Sequence, residues 1–160
     1  MYLLADTETT LPCSITDAFD YVADLENFAR WFPGVESITA TDELAVGVVG
    51  KSYLETVILP IGATLTIPVH VCEACAPVRL ATEGNLALLR PRMEIDLSPV
   101  DAEHCVIRWR MYSRVGTRLL QWTLLPVIAI IMQRRAKIGL RNLAQLLGAD
   151  RGRPQLGCSL

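Results

Sequence analysis

The sequence predicts a single α+β domain in which an antiparallel sheet of seven strands is followed by one long helix. Two observations lead to this prediction. One strand and two short helices come first, and turn signals then divide residues 35–112 into six strands before the long helix begins. Helices and strands are therefore segregated along the chain, which favours an α+β class over a doubly wound α/β fold. A chain of 160 residues is long enough for one domain with a substantial core.

The first elements are a strand and two short helices. The strand is predicted over residues 2–11 and ends at Pro12. Ser14 then offers a hydroxyl N-cap, with Asp17 three residues further on. Apolar side chains follow at helical spacing, namely Ile15, Ala18, Phe19 and Val22. A second helical piece from Asp24 must end at Pro33 and Gly34, because neither residue suits a helix interior.

The middle of the chain has turn signals at intervals that fit a meander of strands. They are Thr41-Asp42-Glu43, Pro60-Ile61-Gly62, Cys75-Ala76-Pro77, Gly84-Asn85 and Ser98-Pro99-Val100-Asp101. Alternation within the strands then sorts their side chains into two faces. One predicted face is a charged lattice whose opposite signs pair across strands, as Arg92, Glu94 and Arg110 would.

The other predicted face is apolar and carries only small hydroxyls. In the strand over residues 48–59 this inner side is assigned to Ser52, Leu54, Thr56 and Ile58. Because a bulge of one residue inverts the faces of a strand, such a shift would instead bring polar residues inside. Those residues are Tyr53, Glu55, His70 and Arg110.

The long helix is predicted from about Thr117 to Leu147, between Gly116 and Gly148, with a kink at Pro126. A continuous apolar stripe is expected to lie over the sheet. It consists of Trp122, Leu125, Ala129, Met132, Ala136, Leu140, Leu143 and Leu147. A second apolar side at the start of the helix has no predictable partner, and its residues are Leu124, Val127, Ile128 and Ile131. Residues 149–160 are predicted to be a disordered tail outside the domain of residues 1–148.

Residues 119–132, LLQWTLLPVIAIIM, form the longest apolar stretch. As a helix they would rise about 21 Å, which is less than the roughly 30 Å hydrocarbon core of a bilayer. A membrane-spanning helix is therefore not expected. Arg134, Arg135 and Lys137 follow at once, and a basic segment beside an apolar one can mark a surface for anionic lipids. The alternative is a solvated helix face that keeps the protein soluble.

Composition excludes some partners and compartments. The formal net charge of −2 argues against a nucleic-acid partner. The N-terminus shows no secretory signal, so a cytoplasmic protein is predicted, and its five irregularly spaced cysteines are expected to be reduced. Cys72 and Cys75 have a spacing that could bind zinc or cycle as a disulfide, with His104 and Cys105 in a turn expected at the same end of the sheet. Buried thiols are the alternative.

Residues 14–35, SITDAFDYVADLENFARWFPGV, closely resemble the opening of the polyketide cyclase/dehydrase and lipid-transport family, within the START-like or Bet v 1-like (SRPBCC) superfamily. The resemblance extends through Val49-Gly50 and the closing helix, over roughly residues 3–148. It implies a helix-grip fold, in which a curved seven-stranded antiparallel sheet wraps around the long C-terminal helix and two short helices support one end. Similar proteins commonly enclose a cavity for a hydrophobic ligand. They include carriers, aromatase/cyclases and quinone-binding proteins, so the fold does not settle the function.

The predicted function is binding of a hydrophobic small molecule, such as a lipid, polyketide or isoprenoid, in an internal cavity by a carrier or sequestering protein. The residues expected to bind it are Trp31, Leu54, Thr56, Ile67, Met93, Ile95, Trp109, Met111, Trp122, Leu125, Ala129 and Met132. A cyclase or dehydratase is the alternative, but it needs a group that moves a proton, and the predicted inner face holds none that titrates near neutrality. No catalytic residue, cofactor or metal is therefore expected. A third hypothesis is a module that docks on the inner face of a membrane, or on a second copy, through the apolar first half of the long helix.

Overall fold

The structure, a computed structural model, describes residues 1–59 and 61–151, with side chains described as far as residue 149 in the last helix. Its elements are β1 Tyr2–Leu11, α1 Ile15–Ala23, a 3₁₀ turn Leu25–Asn27, α2 Phe28–Trp31, β2 Val35–Ala40, β3 Ser52–Ile58, β4 Thr64–Cys75, β5 Arg79–Gly84, β6 Pro91–Pro99, β7 Cys105–Ser113 and α3 Arg118–Arg151. The strands form one antiparallel sheet in the order β1-β7-β6-β5-β4-β3-β2. The predicted α+β helix-grip class is confirmed, and β1 and β2 are the two edges of the sheet.

The short helices begin where the sequence predicts. The Ser14 hydroxyl caps α1 by accepting a hydrogen bond from the backbone N–H of Asp17 at 3.1 Å. Asp24 caps the following 3₁₀ turn in the same way, because its carboxylate accepts a hydrogen bond from the backbone N–H of Glu26 at 3.2 Å. Both helices bury their apolar sides, and Gly34, with a φ of +89°, follows α2 in a conformation that favours glycine.

An aromatic cluster joins α2 to the sheet and to α3. The Phe32 ring stacks on Phe28 with 4.7 Å between centroids and contacts Trp109 of β7 at 5.0 Å. Helix α3 comes so close here that a Cβ on Gly139 would lie 2.9 Å from the Phe32 ring. The second half of α3 packs on this core, as the predicted stripe requires, through buried Ala136, Leu140, Leu143 and Leu147.

Helix α3 is longer than predicted. It continues through Pro126 and past Gly148 to Arg151, so the prediction of a tail from residue 149 is wrong for its first three residues. Residues 152–160 of that predicted tail lie outside the described residues. Within the described part of the chain, no helix combines the length and the apolar character needed to cross a bilayer.

The outer face of the sheet is the charged lattice that the alternation predicts. Glu94 of β6 is only 6% exposed, and its carboxylate pairs with Arg92 at 2.8 Å, Arg110 at 3.2 Å and Arg79 at 3.3 Å. Arg92 also pairs with Glu83 of β5 at 2.9 Å. These pairs cross neighbouring strands, so the charges of this face satisfy one another.

The predicted facing of β3 is wrong. Tyr53 is almost completely buried and Leu54 is 41% exposed, the reverse of the prediction. The register explains this result, because Glu55 lies opposite Ile67 of β4, and residues paired across a ladder point to the same face. Ile67 points inward as predicted, so Glu55 does too. Apolar residues occur on both sides of β3, and alternation alone therefore cannot orient it.

A glutamine ties α3 to the edge of the sheet. The Gln133 side chain accepts a hydrogen bond from the backbone N–H of Asp6 at 3.0 Å and donates one to the backbone carbonyl of Asp6 at 2.9 Å. This contact follows a register shift between Leu3 and Ala5 in β1. The paired hydrogen bonds fix both the position and the rotation of α3 along β1.

Candidate functional site

A cavity of about 490 Å³ lies between the inner face of the sheet, α2 and the first half of α3. This volume is within the range of small-molecule sites. Mostly apolar residues of β2 to β7 form one side, and the loops after β3 and β5 contribute Leu59, Leu86, Leu88 and Leu89. Its polar side chains are Glu55, Thr82 and Arg135.

Five of the twelve predicted binding residues line the cavity. They are Ile67, Met93, Trp109, Met111 and Met132. The three methionines come from three different elements, which gives the cavity an adaptable lining.

The other seven predicted residues lie elsewhere. Trp31, Ile95 and Leu125 are buried in the core but do not border the cavity, and Ala129 lies in a shallow groove beside β1. Leu54 and Thr56 are on the outer side of β3, because the facing of that strand is inverted relative to the prediction. Trp122 is 82% exposed and so points away from the sheet.

The helical side of the cavity is formed by residues for which the sequence offered no partner. Leu124, Ile128 and Ile131 all line it. The first half of α3 is apolar around most of its circumference, so spacing alone does not identify the inward side. The stripe of the second half, together with the Gln133 contact to Asp6, sets the rotation that turns these residues inward.

Glu55 is the cavity residue that the sequence prediction missed. Its half-buried carboxyl lies among Val57, Ile67 and Val69. Burial raises the pKa of Glu55 to about 7, because desolvation disfavours the charged form. No residue in the described part of the chain pairs with this carboxyl. The prediction that no inward group titrates near neutrality was therefore wrong, and the inversion of β3 is the reason.

Arg135 lines the cavity beside the end of β3, where its side-chain hydrogen bond is exposed to solvent. One of its guanidinium nitrogens, Nη2, donates to the backbone carbonyl of Ile58 at 3.3 Å. The group also rests against Gly34, where a Cβ would come within 2.3 Å of Nη1. Unlike the lattice arginines, Arg135 pairs with no acidic side chain of the described residues. The glycine therefore provides the space for this unpaired guanidinium.

Two other polar groups contribute less. Thr82 of β5 is almost completely buried and lines the cavity with its hydroxyl-bearing side chain. The indole N–H of Trp109 is buried without a hydrogen-bond partner in the described part of the protein. Tyr53 is buried in the core and does not line the cavity. Burial raises its pKa to about 12, so its phenol stays protonated at neutral pH.

The cysteines and His104 do not meet in one site. Cys75 is exposed and Cys72 accepts a hydrogen bond from Arg92 at 3.5 Å, whereas His104 pairs with Asp101 at 2.9 Å. Cys105 is buried, and burial raises the pKa of its thiol to about 11. The four cysteines within the described ranges form no disulfide, and no group of three metal-ligating side chains is found there. Raised thiol pKa values oppose redox reactivity.

Comparisons with known proteins agree with this architecture. The family described as polyketide cyclase / dehydrase and lipid transport matches residues 4–148. A solved structure from Thermus thermophilus is similar, with a TM-score of 0.71, 13% identity, and coverage of 91% of this chain and 97% of that one. The structure of a START superfamily protein from Mycobacterium smegmatis is also similar, with a TM-score of 0.65, 14% identity, and coverage of 92% of this chain and 97% of that one.

A third similar structure is larger. The di-domain ARO/CYC StfQ from the steffimycin biosynthetic pathway gives a TM-score of 0.68 at 10% identity, and the match covers 93% of this chain but 52% of StfQ. At such identities the likeness to solved structures establishes the fold alone. Among curated proteins, none matches the sequence.

Proposed function

The chain belongs to the polyketide cyclase/dehydrase and lipid transport family, and from this premise we propose that it binds a hydrophobic small molecule in its cavity, as a carrier or sequestering protein. Lipids, polyketides and isoprenoids are the candidate classes. The observation that carries the proposal is the cavity of about 490 Å³ with its almost wholly apolar lining. Burial of apolar surface contributes about 25 cal/mol per Å², so a ligand that fills this space gains affinity without specific polar contacts.

Native mass spectrometry of freshly purified protein, followed by organic extraction, tests this proposal. We expect a bound mass that extraction removes, and a rise in Tm when a matching lipid or polyketide is added back. A clean apo mass, together with no thermal shift from a broad panel of such compounds, would rule out the carrier.

Two tryptophan substitutions on α3 provide a matched comparison. Ile128→Trp places a large side chain in the cavity and should abolish the bound mass. Ile138→Trp makes the same change at a half-exposed position outside the cavity and should leave the bound mass in place. Equal ligand loss in both variants would mean that the cavity is not the binding site.

An enzyme of the aromatase/cyclase or dehydratase type is the second candidate function, and Glu55 is the observation that favours it. A carboxyl with a pKa of about 7 can accept a proton from a carbon beside a carbonyl and return one to a departing hydroxyl. Glu55→Gln keeps the shape of the side chain but cannot exchange a proton in this way. With a polyketide-like substrate, we expect this variant to bind normally and to lose turnover by roughly a hundredfold or more. Unchanged turnover would exclude Glu55 as the acid or base.

For a cytoplasmic carrier, we further propose peripheral contact between an anionic membrane and the surface formed by the first half of α3 and the loops that border the cavity with it. Large apolar side chains are exposed there on the loop after β3, the loop after β5 and the first half of α3; they are Ile61, Leu88, Leu119, Trp122 and Val127. The neighbouring charged residues on these segments, Arg90 and Arg118, are basic. Exposed tryptophan beside basic side chains is typical of surfaces that enter the headgroup region.

Vesicle flotation tests the membrane contact. We expect binding to phosphatidylglycerol vesicles, weaker binding to pure phosphatidylcholine vesicles, and loss of binding in Trp122→Ser but not in the control Ile138→Ser. Failure to float with either vesicle would overturn the proposal. A concentration-dependent dimer that Trp122→Ser dissociates would assign this surface to a second copy instead.

A further inference from the structure

The cavity is bordered by two ionisable side chains of opposite sign that do not pair with each other. Glu55 and Arg135 both line it, yet no ion pair joins them, and neither has a charged partner among the residues that the structure describes. Charged side chains in largely apolar surroundings are normally paired, because an isolated charge loses its hydration without compensation. Both groups are therefore available to partners from outside the chain.

Arg135 is held with most of its donors unused. A guanidinium has five N–H groups, and one of them bonds to the Ile58 carbonyl. The guanidinium also lies against Gly34. The backbone N–H of Ile58 donates a hydrogen bond to the Gly34 carbonyl at 2.8 Å, so the two residues that contact Arg135 are themselves hydrogen-bonded to each other. Arg135 lines the cavity, so its remaining donors can bind a planar or tetrahedral anion there through two oxygens.

Glu55 lies deeper along the same strand. It precedes Ile58 by three positions, which corresponds to about 10 Å along β3. A carboxyl that is partly protonated near neutrality can donate a hydrogen bond to a ketone or accept one from a hydroxyl. It disfavours a second anionic group at this depth, because the ionised form repels one and the protonated form cannot neutralise one.

We propose that the cavity takes an amphipathic monoanion, whose carboxylate or phosphate binds Arg135 at the solvent-exposed margin, whose apolar body fills the interior, and whose hydroxyl or ketone oxygen meets Glu55 roughly 10 Å from the charged end. This inference rests on the proposed ligand-binding function and adds the chemical class of the ligand.

Titrations with four C10 probes test the inference: decanoate, decyl phosphate, decanol and 10-hydroxydecanoate. We expect the two anions to bind roughly tenfold more tightly than decanol, because charge-assisted hydrogen bonds to Arg135 are formed by the anions alone. The tighter of the two anions identifies the headgroup chemistry. Arg135→Met should remove this preference while leaving the affinity for decanol unchanged.

Matched variants separate the charge from other effects. The adjacent Arg134 is exposed and does not line the cavity, so Arg134→Met should keep the wild-type preference. Arg135→Lys should retain part of it, since the positive charge remains but the two-point contact is lost. We expect 10-hydroxydecanoate to bind the wild-type protein more tightly than decanoate, because its hydroxyl can reach Glu55. Glu55→Leu should abolish this difference in affinity and should leave the preference for decanoate over decanol unchanged.

The outcomes distinguish this inference from the proposed function. If decanol and decanoate bind equally and Arg135→Met changes neither affinity, the monoanion is refuted while ligand binding stands. If none of the probes binds and native mass spectrometry shows no bound molecule, the carrier function itself fails.

Discussion

Carboxyl groups have opposite environments on the two faces of the sheet. On the outer face the carboxylate of Glu94 is nearly buried and pairs with three arginines. On the inner face Glu55 is enclosed by apolar side chains and has no such partner in the described chain. The same residue type thus stabilises the fold in one place and, unpaired, costs stability in the other, which is typical of functional positions.

The pKa shifts record this difference. Hydrogen bonds from Arg79 and Arg92 hold the pKa of Glu73 on the outer face below its usual range. Burial without a compensating charge raises the pKa of Glu55. Stability measurements on the two faces should therefore move in opposite directions when a carboxyl is removed.

The largest expected effect comes from neutralising the paired carboxyl. Glu94→Gln leaves three guanidinium groups without their shared partner and should lower the free energy of unfolding by about 3 kcal/mol. Glu55→Gln removes an unpaired charge and should raise that free energy at pH 8. Urea unfolding of both variants measures these two changes. A similar loss of stability in both variants would contradict the difference between the two faces.

The next effect is a dependence of stability on pH. The pKa of Glu55 is about 7 in the folded protein and 4.5 as its ordinary value, so the folded state holds the proton over this interval more strongly than the unfolded state does. Stability should therefore fall as pH rises through this window, by about 2 kcal/mol between pH 5 and pH 8. The measurement is the difference in free energy of unfolding between wild type and Glu55→Gln at each pH, because the contributions of the other titrating groups cancel in that difference. Parallel curves would show that the carboxyl is not desolvated.

A smaller effect tests the unpaired arginine. Gly34→Ala adds a Cβ at a φ of +89°, which costs about 1 kcal/mol, and it also displaces the Arg135 guanidinium. Gly62→Ala is the control, because its φ is +81° and nothing lies within 4 Å of the added Cβ. Both variants should lose similar stability, but Gly34→Ala alone should lose affinity for decanoate. Equal affinities would mean that Gly34 does not position Arg135.

The smallest effect is expected at the exposed margin of the lattice. Arg108 pairs with Asp6 at 2.6 Å, but this ion pair is largely solvated. Arg108→Ala should therefore leave the urea midpoint of the protein unchanged within error. A loss comparable to that of Glu94→Gln would mean that burial does not set the strength of these pairs.

Most of the fold could be predicted from the sequence, because capping residues, turns and alternation are local signals. Ser14, Pro33 with Gly34, and the charged alternation of β6 and β7 all predict the observed elements. The end of α3 could not be predicted from Gly148, because one glycine costs a long helix only about 1 kcal/mol and the helix runs through it.

The site was predicted less well than the fold, and the reason is physical. The first half of α3 is apolar on nearly all sides, so Trp122 and Ile128 are indistinguishable by spacing although one is exposed and the other lines the cavity. In β3 the inward Glu55 contradicts the rule that charge lies outside, and the register with β4 overrides that rule. At both positions the wrong prediction concerns the candidate site, where departures from folding preferences are expected.

The glutamine on α3 has a consequence for how this protein avoids self-association. An edge strand exposes N–H and C=O groups that can recruit a strand from another molecule and so begin aggregation. Gln133 occupies both groups of Asp6 with a side-chain amide that resembles the peptide bond of such a strand. The long helix thus occupies the backbone groups at which a strand could be added in the middle of β1.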